Sequence, residues 1–318
     1  MQGIDQGEVV SPLLWIIYYD PLFARINSLR KLAFTVELQQ IKNIWNPAAD
    51  QKVTYSTTIQ SYLDDTTWVA PTLTHMKTLL EISNNFYELA NIQINKDKYR
   101  LLTNNKLYVG KEIELTLGSE LTNVKINKKK EGVRILGVYI DAFNSPSPTL
   151  KNLCQTVALF SNTLRRKKLT HNHIIYITNK VLMPILEYRN QFQVFTIEQC
   201  NFVMAPIKKL FKQSLHLPRS TPDALIHHYL LPSINNFFYN QMYSHIAMTQ
   251  LLFNMPLLNP IAMTQMLTTQ YKFWLPHFPT YNDFTKLEST KLATTFLSKL
   301  LIFLTTLILF LPPFTIPQ

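Results

Sequence analysis

Tyr62-Leu63-Asp64-Asp65 sets two carboxylates side by side between a β-rich run, Val53 to Ser61, and a second short strand-like run, Thr66 to Ala70. Adjacent carboxylates repel and raise each other's proton affinity unless a cation neutralises them. Mg²⁺ held by one or two carboxylates plus substrate phosphates is the usual answer. A pair at the tip of a hairpin therefore predicts a divalent-metal site of the kind that serves phosphoryl transfer. Successive side chains on a strand point to opposite faces, so the two acids can serve one ion pair only if the turn redirects one of them. Asp64 is the better ligand on that ground and Asp65 supports it. The plain alternative is a solvated Asp-Asp turn with no chemistry.

The flanking chain narrows the choice. Gln6-Gly7-Glu8-Val9-Val10-Ser11-Pro12 lies upstream, and Ile94-Asn95-Lys96-Asp97-Lys98 and Ile135-Leu136-Gly137-Val138 lie downstream. These four elements, in this order, resemble the palm of a reverse transcriptase of the non-LTR, LINE-like retrotransposon group, with its QGxxxSP, YxDD, INxxK and LG segments. The resemblance covers about Gly3 to Asp141 and extends loosely through Tyr188 into a thumb-like region.

That resemblance implies RNA-directed DNA polymerisation with two Mg²⁺ ions, an RNA template, a DNA primer and deoxynucleoside triphosphates. Asp64 and Asp65 would hold metal, and Lys98 would lie near the triphosphate as a general acid. Gln6, Gly7, Ser11, Pro12 and Tyr62 would approach nucleotide, template and primer end, and Leu136 and Gly137 would form the primer grip. Several of these have sufficient structural readings: Ser11-Pro12 as a helix start, Tyr62 as a core tyrosine, Lys98 as a solvated strand residue and Gly137 as a β-bulge. The family's first catalytic aspartate lies upstream of the QGxxxSP loop, where this sequence has only Met1 to Asp5. The expectation is an N-terminally truncated palm plus thumb, inactive or very weak by itself.

Chemistry of this kind needs a scaffold, and the patterning predicts an α+β chain. A helix from Ser11 carries Leu13, Leu14, Ile17, Tyr18 and Leu22 at helical spacing. A second, amphipathic helix carries Leu73, Met76, Leu79, Leu80, Phe86 and Leu89 and covers a sheet face. Short strands are expected at 92–94, 98–103, 107–116, 121–127 and 133–140. Ser145-Pro146-Ser147-Pro148 punctuates the chain, giving a partial palm over 1–145, a helical thumb-like region over 146–217 and a helical C-terminal region over 218–318. Leu150 to Leu169, Asn172 to Gln191 and Ile197 to Leu215 read as helices, with Thr170 or Asn172 and Thr196 as caps.

The net charge is +11. Acids and bases nearly balance through residue 150, so almost all of the excess is C-terminal, which suits a polyanion whose counterions are displaced by clustered Lys and Arg. Arg165, Arg166, Lys167 and Lys168 form the densest run, at a helix end where cations also complement the dipole. Arg189, Lys208, Lys209 and Lys212 could line the same phosphate-facing groove. A basic helical region of this kind could also grip RNA or DNA as a binding module without chemistry. Cys154 and Cys200 are too few and too far apart for a disulfide framework or zinc finger, and His171/His173 and His227/His228 lack further partners at ligand spacing. No secretory signal opens the sequence, which predicts an intracellular, nuclear or cytoplasmic protein. Leu292 to Leu311 is apolar, and its densest part, Leu300 to Leu311, is short for a span. A buried helix is expected there, with a membrane-associated remnant as the alternative; oligomeric state is not legible.

Overall fold

The computed structural model describes residues 9–40, 50–63, 65–128, 131–167, 169–228, 233–276, 279 and 295–306, without the side chains of 302–306. The chain is α+β, as its patterning predicts. Its contacts divide it into one unit of Met1–Gln39 with Lys52–Lys128 and another of Gln40–Gln51 with Lys129–Gln318.

In the first unit, α1 (Ser11–Ser28) and α2 (Leu73–Leu89) pack on one another through Tyr19, Leu22, Ile26, Leu79 and Tyr87, with Trp15, Phe23, Phe86, Ile59 and Trp68 around them. Tyr19 stacks at a tilt on Trp15, Phe23, Phe86 and Tyr87, so α1 meets α2 through rings. Strands β1 (Phe34–Gln40) and β2 (Gln51–Thr57) pair, as do β3 (Ile59–Tyr62) and β4 (Asp65–Trp68), and β5 (Glu112–Leu117) and β6 (Glu120–Lys125). The adjoining face of α2 places Leu80 against Leu115, Leu117 and Val124 of β5 and β6. The α2 register comes from its inner polar residue: the Asn84 amide donates to Thr116 O at 2.8 Å and accepts from Gly118 N at 2.9 Å. Gly118 opens the β5–β6 turn at φ +67, a conformation that costs glycine little.

Two expectations are corrected here. Of the residues that the apolar spacing on α1 marked, Leu22 is buried, beside Tyr19 and Ile26, whereas Leu13, Leu14, Ile17 and Tyr18 are exposed. The helix is apolar on more than one face, so periodicity alone could not choose between them. The strands expected at 92–94 and 98–103 are instead a connection with a 3₁₀ turn, Lys96–Lys98, and a single bridge between Leu101 and Ile126. Ile92 and Ile94 pack into the first core and Tyr99 and Leu101 into the second. Their alternation therefore records a segment passing between two cores rather than a ladder.

In the second unit, β7 (Val133–Ile135) and β8 (Val138–Ile140) form a hairpin. Helix α3 (Ser147–Arg165) follows and packs on α6 (Ile197–Ser214). Thr149 on α3 donates to Tyr139 O at 3.0 Å, and a Cβ on Gly132 would stand 2.6 Å from Pro148. The hairpin stem thus lies flush on the α3 start, and the hairpin groups with the helices although it precedes the Ser-Pro punctuation. The helix expected over Asn172 to Gln191 is α4 (His171–Ile177), a π turn (Thr178–Leu182) and α5 (Met183–Arg189). Pro184 has no N–H to give the preceding turn and its ring crowds the carbonyl four residues back, which opens that turn. The expected cap at Thr196 is a capping box: Thr196 Oγ1 accepts from Gln199 N at 3.2 Å, and Gln199 Oε1 accepts from Thr196 N at 3.0 Å.

Short α7 (Asp223–Ile226) leads to α8 (Phe237–Asn254), α9 (Asn259–Phe273) and α10 (Phe296–Thr306). Helix α10 packs on α9 and buries Phe296, Leu297, Leu300 and Leu301, so the described start of the apolar tail is core. Among the described residues no single helix is long and apolar enough to cross a bilayer; α8 and α9 pass that test only together, bent by 108°.

Candidate active site

The β3–β4 register pairs Tyr62 with Asp65, and Leu63 begins the turn between them. Leu63 stands at φ +55, as the first central position of a primed hairpin turn requires, although leucine rarely adopts it. Ser61 Oγ donates to Leu63 O at 3.0 Å and supports that strained residue. Tyr62 is 62% exposed and Asp65 is exposed, while Leu63 between them is half-buried. The hairpin base is fixed differently: Ile59 and Trp68 pack against the α1–α2 cluster, and Thr66 hydrogen-bonds to Tyr87. Burial holds the Tyr87 phenol above its ordinary pKa, and the Thr66 bond only partly offsets this. A packed hairpin base thus carries the exposed Asp65 carboxylate at its far end.

Gln6, Gly7, Asp64 and Lys168 lie outside the described residues. Ser11 is buried and begins α1 with Pro12 behind it; Val10 holds the cap position, one residue earlier than the sequence suggested, and makes no side-chain cap. Lys98 is exposed at the end of the 3₁₀ turn, not on a strand. Leu136 and Gly137 are the two central residues of the β7–β8 hairpin turn, at φ +47 and +88, rather than the alternative bulge. Tyr188 donates its hydroxyl to Leu136 O at 2.6 Å.

The basic residues separate into two groups. Arg165, Arg166 and Lys167 are exposed at the C-terminal end of α3, and Lys209 is exposed on α6. Lys208 and Lys212, expected to face phosphate, are buried instead. Lys208 Nζ donates to Asp223 Oδ2 at 2.9 Å and to Asn201 Oδ1 at 2.7 Å. Lys212 Nζ donates to Asp223 Oδ1 at 2.8 Å and to Thr221 O at 2.6 Å. Burial pushes Asp223 up, but the bonds and charges of both lysines outweigh it and hold its pKa below the ordinary value. Arg189 is spent within the fold, donating to Asn152 Oδ1 at 3.1 Å and Thr156 Oγ1 at 2.5 Å.

Neighbouring carboxylate oxygens are the hard donors that a Mg²⁺-like ion prefers. Among the described residues, however, no three His, Cys, Asp or Glu side chains converge. Those residues by themselves do not make up a metal-pair site.

Sequence reasoning missed the residues that hold these parts in place: Asn84, Asn179, Tyr188, Asp223 and Gln241. Asn179 reaches from the π turn to Ser233 O at 3.0 Å and accepts from Asn235 N at 2.9 Å. Buried Gln241 binds both N and O of Phe195, at 2.9 and 3.0 Å. Asn84 alone left a signal, a polar residue on the inner face of an amphipathic helix.

The class these elements define is an α+β protein with an exposed aspartate, Asp65, at a hairpin end and an exposed basic helix end. Residues 1–140 match the family described as reverse transcriptase (RNA-dependent DNA polymerase). The match spans less than half of the chain. Members of that family are nucleotidyltransferases that use a nucleic-acid template, deoxynucleoside triphosphates and divalent metal ions. No curated protein matches the sequence.

Proposed function

We propose that the chain carries the palm and thumb of a LINE-like retrotransposon reverse transcriptase, the palm over 1–145 and the thumb over 146–217, acting on an RNA template and a DNA primer. The observation that carries this reading is the strained turn at Leu63, flanked by exposed Tyr62 and Asp65, inside the segment that matches the reverse transcriptase family. Asp64 and Asp65 are the carboxylates offered to Mg²⁺, Tyr62 borders the primer end, Gln6 and Gly7 approach the nucleotide, and Lys98 lies toward the triphosphate. Leu136 and Gly137 grip the primer, and Arg165, Arg166 and Lys167 contact the duplex backbone. Positioning and electrostatic stabilisation are the protein's contribution to such a transfer.

Two adjacent carboxylates are fewer ligands than a two-ion site uses, so primer extension by the chain alone is expected to be absent or very weak. The test is binding of an RNA–DNA hybrid by the full chain across a salt series, with Mg²⁺-dependent extension measured in parallel. Hybrid binding that weakens with salt supports the reading; no hybrid binding at low salt sinks it. Hybrid binding that survives Asp65→Asn without any extension selects a non-catalytic binding remnant, which the exposed Arg165, Arg166 and Lys167 favour over a membrane-associated one.

A further inference from the structure

Both candidate hairpins carry a leucine in a conformation that leucine avoids. Leu63 at φ +55 and Leu136 at φ +47 each take the first central place of a two-residue turn. At that place the β5–β6 hairpin uses Gly118. A positive φ on a non-glycine residue costs about 1 kcal/mol and persists where surrounding contacts determine it. In both turns the determining contact is a hydroxyl on the leucine carbonyl: Ser61 Oγ on Leu63 O at 3.0 Å, and Tyr188 Oη on Leu136 O at 2.6 Å.

The second hydroxyl is the informative one, because it comes from a helix 52 residues away in sequence. Tyr188 lies on α5, and its ring also limits the turn: a Cβ on Gly137 would stand 3.3 Å from Tyr188 Cε1. The hairpin is thereby held at its stem by α3, through Thr149 and Pro148, and at its tip by α5. The neighbouring Arg189 fastens α5 to α3 through Asn152 and Thr156, so the two supports are themselves joined. The outcome is a fixed tip on which the Leu136 side chain is 44% exposed. A leucine that is strained, partly solvated and rigidly held gains little for stability at that place. The tip residues Leu136 and Gly137 carry no charge, so they suit the apolar face of a sugar or base rather than a phosphate.

We propose that Tyr188 is a positioning residue that locks the β7–β8 turn so that Leu136 packs against the terminal nucleoside of a primer. This rests on the primer-grip reading above and adds the residue that sets the grip's shape and the part of the nucleotide it meets. Tyr188 acts through Leu136 and touches no reacting atom. Losing its hydroxyl frees the tip, while the ring and the α3 contacts keep the hairpin paired.

The experiment uses the full chain, an RNA–DNA hybrid with 2-aminopurine at the primer 3′ end, and two variants, Tyr188→Phe and Leu136→Gly. Amide hydrogen exchange at 136–138 should quicken about three- to tenfold in Tyr188→Phe, the effect of removing one neutral hydrogen bond. Exchange in 112–125 should not change. Wild type should shift the terminal 2-aminopurine signal. Each variant should lose more than half of that shift while overall hybrid affinity stays within about twofold, because phosphate contacts dominate affinity. Leu136→Gly separates this from a structural role: glycine relieves the strain, so a merely structural turn would keep the full shift. An unchanged shift in both variants overturns the proposal, as does an equal loss of affinity for hybrid with and without an accessible primer end. Failure of wild type to bind any hybrid overturns the functional reading itself, and the exchange result still reports whether Tyr188 holds the turn.

Discussion

Two buried ammonium groups share the single carboxylate of Asp223. Removing that carboxylate leaves both without their counter-charge, the situation that makes a broken buried ion pair costly. Asp223 itself is half-exposed, which trims the cost. Asp223→Ala should therefore lose roughly 2–4 kcal/mol in urea unfolding. Replacing Lys208 and Lys212 by Met in the same background should restore much of it, because an apolar set needs no partner; a triple variant as unstable as the single one contradicts this account. Asp223 has a lowered pKa, so its stabilisation is present above its unfolded value and is lost as pH falls through the folded one.

His245 is a second residue-scale case. Burial lowers its pKa to about 4, which the bond to Gln193 O only partly opposes. A carbonyl can only accept, so Nε2 carries the proton in its 2.7 Å bond to Gln193 O, and Nδ1 is buried without a hydrogen bond among the described residues. Since the folded pKa lies below the ordinary value of 6.5, the unfolded chain takes up the proton first. Stability should be full above pH 6.5 and fall by about 3 kcal/mol on the way down to pH 4. Urea midpoints of wild type and His245→Leu across that window test this: the variant should show a shallower acid slope, and parallel slopes refute it.

At the scale of elements, α2 is the part from which the first unit is built, since it packs against α1 on one side and β5 and β6 on the other. Its spacing made it legible in the sequence, because one apolar stripe opposes a polar one. Helix α1 was legible as a helix but not in its orientation, because of Leu13, Leu14, Ile17, Tyr18 and Leu22 only Leu22 is buried, beside Tyr19 and Ile26. Asn84 was legible only as a polar residue on the inner face of α2, and its partners were not, since they lie 32 and 34 residues away. Asn84→Ala leaves Thr116 O and Gly118 N without that partner and should cost about 1–3 kcal/mol, read as a lower thermal midpoint. Loss of amide protection should centre on the β5–β6 turn; uniform loss across the unit would show that Asn84 does not set the register.

At the scale of the whole molecule, the net charge of +11 was a fair guide to an anionic partner but a poor guide to which cations meet it. Arg165, Arg166 and Lys167 remain available, whereas Lys208, Lys212 and Arg189 are consumed by the fold. Neutralising the first three to Gln should reduce the salt slope of hybrid binding by about 2–3, near 0.9 for each phosphate that the protein no longer neutralises. Neutralising Lys209 alone should change it by no more than about 1. A slope unchanged in the triple variant would place the nucleic-acid surface elsewhere.

The sequence by itself determined the α+β class, helices α3 and α6, the Thr196 cap and the hairpin that ends at Asp65, because each depends on residues within a few places of one another. Local chemistry of that kind is written in spacing: a period near 3.6, a hydroxyl before a helix, two acids at a bend. Only the tertiary structure decided which face of α1 is buried, that Lys208 and Lys212 belong to Asp223, and that Tyr188 reaches the Leu136 carbonyl. Those outcomes depend on which distant groups are left together once water is excluded, and a buried donor or charge takes whatever partner the packing brings within about 3 Å.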